Sequence, residues 1–196
     1  MLTSIALIAG VALSGVYALT KGTIEEQHRA AEAASYKVVL PTAESFEADA
    51  ALDQAVADLN GQVYGSGFGR SYINEIFIGR DAAGEIAGYA ISATSADGFD
   101  GSITLAVGVS PDGTLNGISF TELNETPGMG MRADEPEFKD QFNGRTATRF
   151  KLIKAGSAIA EDEIDSVSGA SITSNAVVNA VNAALDFFHT TVKGGN

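Results

Sequence analysis

The fold is decided by residues 72–123, which read YINEIFIGRDAAGEIAGYAISATSADGFDGSITLAVGVSPDGTLNGISFTEL. Four runs within it are rich in apolar and β-branched residues and are typical of strands: 72–79, 85–94, 102–109 and 114–123. Ala83-Gly84 and Asp112-Gly113 lie between runs, where tight turns join neighbouring strands. Connections this short favour antiparallel pairing, because a parallel crossover needs a dozen or more residues.

Patterns typical of helices flank this predicted sheet. We predict an acidic helix over 51–59, ended by Asn60-Gly61, and a short helix over 135–142. A further strand is expected over 150–154, and an amphipathic helix over 175–189. Strands in one block with helices at the ends predict an α+β domain with a mixed or antiparallel sheet and a C-terminal helix.

The charge and the amino-acid usage exclude some classes of function. The formal net charge is −13, and nucleic-acid binding needs a basic face, so we expect no nucleic-acid partner. The chain has no cysteine, which excludes an iron–sulfur cluster or thiolate metal site built from this chain alone. We predict no metal site.

The N-terminal residues have the pattern of a membrane segment. Residues 1–20 carry no charged side chain and are apolar from Leu2 to Leu19, and a helix of this length spans about 28 Å. A transmembrane helix is the favoured interpretation, and the alternative is a signal peptide cleaved near Val16-Tyr17-Ala18. Lys21 and Arg29 follow the span and would by charge place the main domain in the cytoplasm, so the sequence leaves the orientation open.

The first segment that could carry chemistry is residues 165–174, which read DSVSGASITS and lead into the last predicted helix. The simplest interpretation is a helix N-cap, since a Ser or Thr oxygen there accepts from free backbone N–H groups. One cap needs one hydroxyl, however, and this stretch has five. The N-terminus of the helix would also favour a phosphate.

The second segment, residues 124–131, reads NETPGMGM and follows the last predicted strand. Pro127-Gly128 is a common turn dipeptide, so the segment is at least a turn. Met129 lies between two glycines, and its thioether could pack against a flat ring.

Together these two segments resemble the FMN-binding domain shared by the G subunit of the Rnf electron-transport complex and the C subunit of the sodium-translocating NADH:quinone reductase. The matching residues are Asp165, Ser168, Gly169, Ala170 and Ser171, and then Glu125, Thr126, Pro127, Gly128, Met129 and Gly130. The resemblance implies FMN attached covalently as a phosphoester on Ser171, which replaces the usual Thr. It also implies that the second element lines the flavin, with Met129 in place of Leu. Ser168, Thr173 and Ser174 are rival acceptors, and Lys154 is either a counter-charge for the flavin or a solvated surface lysine.

The resemblance also implies the function. We expect a transmembrane helix over 1–20, a juxtamembrane helix over 21–40 and an FMN-binding domain over 41–196. The chain would be a redox subunit, with no catalytic residue of its own, of a translocase: a membrane-bound ion-translocating ferredoxin:NAD oxidoreductase. Its partners would be the other membrane and peripheral subunits and a flavin transferase. It would be a single-pass protein of the cell (inner) membrane with its soluble domain outside the cytoplasm. The alternatives are an anchored non-redox binding module, in which the Ser-rich loop is only a cap, and a freestanding FMN reductase.

Overall fold

The computed structural model describes residues 32–59, 61–65 and 67–194. The chain divides into two compact units, Met1–Ala34 and Ser35–Asn196. The predicted transmembrane helix lies outside the described residues, as does most of the predicted juxtamembrane helix, of which residues 32–39 are described and helical. No helix within the described residues is long and apolar enough to cross a membrane.

The larger sheet is a five-stranded antiparallel meander in which each strand pairs with the next along the chain. Its strands are β1 (Ser45–Glu47), β2 (Ser71–Arg80), β3 (Ile86–Ser95), β4 (Ile103–Val109) and β5 (Leu115–Leu123). The four predicted strands and their antiparallel pairing are confirmed. β1 was not predicted, because three residues on an edge are too few to show a period of two.

Glycines with positive φ close both predicted hairpins. In the β2–β3 turn, Gly84 has a φ of +83° and its N–H bonds to the carbonyl of Asp81 at 3.0 Å. In the β4–β5 turn, Gly113 has a φ of +100° and bonds in the same way to Ser110 at 2.9 Å. A left-handed glycine at the end of a three-residue loop is a common hairpin connection, and it fixes the register of the strands it joins.

Helices and a second, two-stranded sheet complete the fold. The helical elements are α1 (residues 32–39), α2 (Ala50–Asp58), a 3₁₀ turn (Gly130–Asp134), α3 (Pro136–Lys139), a second 3₁₀ turn (Asp140–Phe142), α4 (Ser171–Phe187) and a π-helical turn (Phe188–Lys193). The second sheet pairs β6 (Lys151–Ile153) with β7 (Glu163–Asp165) in parallel. β7 was not predicted. It leads directly into the hydroxyl-rich segment.

α4 starts earlier in the chain than predicted. It begins at Ser171 rather than at Asn175, so the end of the hydroxyl-rich segment forms its first turn. The predicted apolar stripe is confirmed: Val177, Val181, Leu185 and Phe188 are all fully buried. The buried part of α4 is wide, and its exposed and half-exposed positions form one narrow stripe that includes Asn175, Asn179 and Asp186.

The core lies on both faces of the larger sheet. One face packs α4 against β2, β3 and β4, with Ile76, Ile91 and Leu105 fully buried there. The other face is covered by a smaller cluster that includes Val39 and Leu40. Packing against both faces fixes the end of β5 and the start of α4, where the two candidate segments lie.

Candidate functional site

Asp165 organises the loop that precedes α4. Its Oδ1 accepts hydrogen bonds from the N–H groups of Ser157 at 2.8 Å and Ala158 at 2.9 Å. The side chain of Gln141 binds both the N–H and the carbonyl of Asp165, at 2.7 and 3.2 Å. These bonds join the end of β7 to the loop after β6 and to the second 3₁₀ turn. The carboxylate of Asp165 is therefore directed to the protein backbone.

Packing separates the candidate hydroxyls into buried and exposed groups. Thr173 and Ser174 are buried, with 1% and 0% of their surface exposed, whereas Ser168 and Ser171 are exposed. Ser174 is also engaged: its hydroxyl donates to the carbonyl of Ala170 at 2.9 Å and accepts from the N–H of Val167 at 3.0 Å. A bulky phosphate group cannot reach a buried hydroxyl in the folded chain, so of these four candidates Ser168 and Ser171 remain.

The N-terminus of α4 has no side-chain cap. The N-cap position is held by Ala170, whose methyl group cannot accept a hydrogen bond, and Ser171 is the first helical residue. The N-cap interpretation of the hydroxyl cluster was therefore wrong. The first N–H groups of α4 and the positive end of its dipole remain available to an anion beside the Ser171 hydroxyl.

The tertiary structure brings both segments to one cavity of about 400 Å³. One side is formed by Phe99 and by the turn that follows β5, and the other by the loop and first turn at α4. The lining residues are Phe99, Glu125, Thr126, Met129, Gly130, Gly169, Ala170, Ser171, Ile172 and Thr173. The cavity is therefore lined by Ser171 and by four of the matched residues after β5: Glu125, Thr126, Met129 and Gly130.

Large exposed apolar side chains line this cavity. Phe99 is 67% exposed, Ile172 54% and Met129 48%. Met129 reaches across to the opposite loop, where its Cε lies 3.8 Å from the position that a Cβ on Gly169 would occupy. Apolar side chains grouped on a concave surface are typical of a site for an apolar ligand. Phe99 and Ile172 were not predicted. The only sequence signal for Phe99 is its place between Gly98 and Gly101.

Glu125 supplies a buried charged group in the cavity. It is only 6% exposed, and its Oε1 accepts a hydrogen bond from the N–H of Phe99 at 2.7 Å. Its Oε2 is buried without a hydrogen-bond partner. Thr126 helps to shape the turn, since its carbonyl accepts from the N–H of Met129 at 3.1 Å. Native proteins rarely leave a buried acceptor unpaired, so Oε2 is a candidate to accept a hydrogen bond from a ligand in the cavity.

The other predicted site residues lie outside this cavity. Gly128 shapes the turn with a φ of +74°. Asp165 and Ser168 line a neighbouring cavity of about 380 Å³ together with Arg132 and Arg145. Lys154 is exposed after β6 and lines neither cavity.

Comparison with known proteins agrees with this arrangement. A family model described as "FMN-binding domain" matches residues 98–186, which include all the residues that line the cavity. The G subunit of the Na⁺-translocating ferredoxin:NAD⁺ oxidoreductase complex of Acetobacterium woodii is 32% identical over 186 residues, covering 94% of this chain and 86% of the relative.

This chain belongs to the G-subunit family of ion-translocating oxidoreductase complexes. The G subunit of a second such complex, from Salmonella typhimurium, is 32% identical, and the match covers 85% of this chain and 77% of that relative. Solved structures of the same fold include NqrC of Shewanella oneidensis and the C subunit of the Na⁺-translocating NADH-quinone reductase of Parabacteroides distasonis. The first has a TM-score of 0.51 at 20% identity, and the match covers 81% of this chain and 72% of that structure. The second has a TM-score of 0.50 at 19% identity, and the match covers 87% of this chain and 96% of that structure.

The residues that line this cavity fit FMN. The exposed apolar side chains suit a flat aromatic ring, and the unpartnered Glu125 Oε2 suits a polar edge with a donor group. The uncapped N-terminus of α4 suits a phosphate, with the exposed hydroxyl of Ser171 beside it.

Proposed function

We propose that this chain is the electron-transfer subunit of a membrane-bound, ion-translocating ferredoxin:NAD oxidoreductase, and that it carries FMN as a phosphoester on Ser171. One observation supports the attachment site most strongly. Ser171 is the hydroxyl that is exposed, lines the apolar cavity and lies at the uncapped N-terminus of α4. Ser168 is also exposed but lines the neighbouring cavity.

Each part of the cavity has a physical role in this proposal. The first turn of α4 binds the phosphate through backbone N–H groups and the helix dipole. Phe99, Met129 and Ile172 pack against the ring and exclude water from it. The bound flavin supplies one- and two-electron redox chemistry, and the protein supplies its position and electrostatic environment.

Attachment is a separate step from electron transfer. No histidine lies among the described residues that line the cavity, so the Ser171 hydroxyl has no imidazole base beside it. A flavin transferase is therefore part of the proposal. It would supply a flavin nucleotide whose FMN phosphate is activated by a phosphoanhydride bond. Ser171 Oγ bonds to that phosphorus, the phosphoanhydride bond breaks, and the departing phosphate group takes up the serine proton. The exposed loop at Ser168 and Gly169 makes this position accessible to a second protein.

The location of the chain is also proposed. The apolar run Leu2–Leu19 would anchor it in the cell membrane as a single span beside the other subunits. The family resemblance supports a soluble domain outside the cytoplasm, against the charge of Lys21 and Arg29. An engineered surface cysteine should react with a membrane-impermeant reagent in intact cells. Protection of that cysteine until lysis would place the domain inside.

The attachment site is tested by intact mass. The full chain should be produced with its transferase as wild type and as the variants Ser171→Ala, Ser171→Thr and Ser168→Ala. Wild type, Ser171→Thr and Ser168→Ala should each gain the mass of FMN less one water, and Ser171→Ala should gain nothing while remaining folded. An adduct that persists in Ser171→Ala would refute this site, and its absence from the wild type would refute the covalent flavoprotein.

A further inference from the structure

Glu125 has one oxygen that the fold leaves unused. Oε1 is engaged by the N–H of Phe99, whereas Oε2 is enclosed in a side chain that is 6% exposed and has no hydrogen-bond partner. Burying a charged acceptor without a donor costs free energy, and native proteins rarely leave such groups unpaired. Since Glu125 lines the cavity, the missing donor can be supplied by a ligand in it.

Two glycines enclose this carboxylate. A Cβ on Gly130 would lie 2.6 Å from Oε2 and 2.8 Å from Thr173 Oγ1, and a Cβ on Gly98 would lie 3.0 Å from Oε1. Neither glycine has a positive φ, so close packing, and not backbone conformation, excludes a side chain at both positions. The carboxylate of Glu125 is thus held in place before any ligand arrives.

The chemistry of the ligand restricts which donor can meet Oε2. A carboxylate only accepts hydrogen bonds, and the oxidised isoalloxazine ring has one N–H, at N3, among several acceptors. The ribityl hydroxyls are the other donors of FMN. The surroundings favour the ring, because Glu125 is bonded to the backbone of the apolar Phe99 and packs against Gly130, which follows Met129.

We infer that Glu125 Oε2 accepts the hydrogen bond of the flavin N3–H, which orients the ring in the cavity and makes it harder to reduce. This inference rests on the proposed function. Reduction places negative charge on the part of the ring next to N3, and a carboxylate there disfavours that charge. Glu125 therefore orients the flavin ring and lowers its midpoint potential.

Flavin-loaded full chain tests the inference, as wild type, Glu125→Gln and Glu122→Gln. Glutamine keeps the size of the side chain but can present an amide donor where the carboxylate accepted. Glu122 is the matched control, because it removes one negative charge three residues away from an exposed position on β5. Two readouts are needed: the midpoint potential from a spectroelectrochemical titration, and the resonance Raman band that moves when N3–H exchanges to N3–D.

Glu125→Gln should raise the midpoint potential and move the N3–H band towards a weaker hydrogen bond, while Glu122→Gln matches the wild type. A loaded Glu125→Gln protein with an unchanged potential and band would overturn the inference, and would assign Oε2 to a ribityl hydroxyl or to the protein itself. If Glu125→Gln does not take up flavin, the N3–H Raman band of the flavin-loaded wild type tests the inference instead. An N3–H band identical to that of free flavin in water overturns the inference, and a band shifted towards a stronger bond supports it. Loading is read separately by mass, so a wild type without an adduct refutes the covalent attachment instead.

Discussion

Gly130 offers a sharp test of how the cavity is packed. Replacing it with alanine would place the new Cβ 2.6 Å from Glu125 Oε2, 2.7 Å from Glu125 Cβ and 2.8 Å from Thr173 Oγ1. The oxygen of Glu125 can move aside, but its Cβ is fixed by the backbone. Thr173 is buried in the first turn of α4. Gly130→Ala must therefore displace either the turn after β5 or the start of α4.

The expected cost follows from two opposing effects. Overpacking a tight site costs about 1–3 kcal/mol of the free energy of unfolding. A Gly→Ala change with no clash and no strain instead stabilises by about 0.4–1 kcal/mol, because it restricts the unfolded chain. Gly101 provides this second case, since a Cβ there would meet only Asn124 O at 3.9 Å and its φ is not left-handed.

The assay is thermal or urea unfolding of the wild type, Gly130→Ala and Gly101→Ala without flavin. The free energy of unfolding of Gly130→Ala should be lower than that of Gly101→Ala by about 1–4 kcal/mol. In a domain of this size, each kcal/mol lowers Tm by roughly 2–4 °C. Flavin loading should also fall in Gly130→Ala, because the displaced elements carry Glu125 and Ser171. Equal stabilities and equal loading in the two variants would refute this close packing.

Three other predictions concern the cavity wall, the core and the pH dependence. Met129→Ala should change the spectrum or potential of the bound flavin and weaken its contact by about 1–2 kcal/mol, with attachment intact by mass. Asn182→Ala should lower the free energy of unfolding in urea by about 2–5 kcal/mol, because the buried Asn182 side chain bonds to both the N–H and the carbonyl of Phe150. The control Asn175→Ala, at an exposed position on the same helix, should change that free energy little. Burial raises the pKa of Tyr64 to about 12, from about 10 in the unfolded chain. The free energy of unfolding should therefore fall as pH rises from about 10 to about 12. In Tyr64→Phe this fall should be smaller, because the titrating hydroxyl is absent.

The sequence by itself determined the larger sheet. Its four long strands have seven or more residues, which is enough for runs of apolar and β-branched residues to stand out, and Gly84 and Gly113 mark the turns. Strand length also explains the failures. β1 and β7 have three residues each, and their conformation depends on pairing with partners that are distant in sequence.

The sequence also determined which two segments carry the site, through the motif residues from Glu125 to Gly130 and from Asp165 to Ser171. Only the tertiary structure decided what each residue does there. It directs Asp165 to the backbone of another loop, and it adds Phe99 to the cavity. It also buries Thr173 while it exposes Ser171. The side of α4 that faces the core sets this difference, and burial depends on contacts between distant segments that no local pattern of residues records.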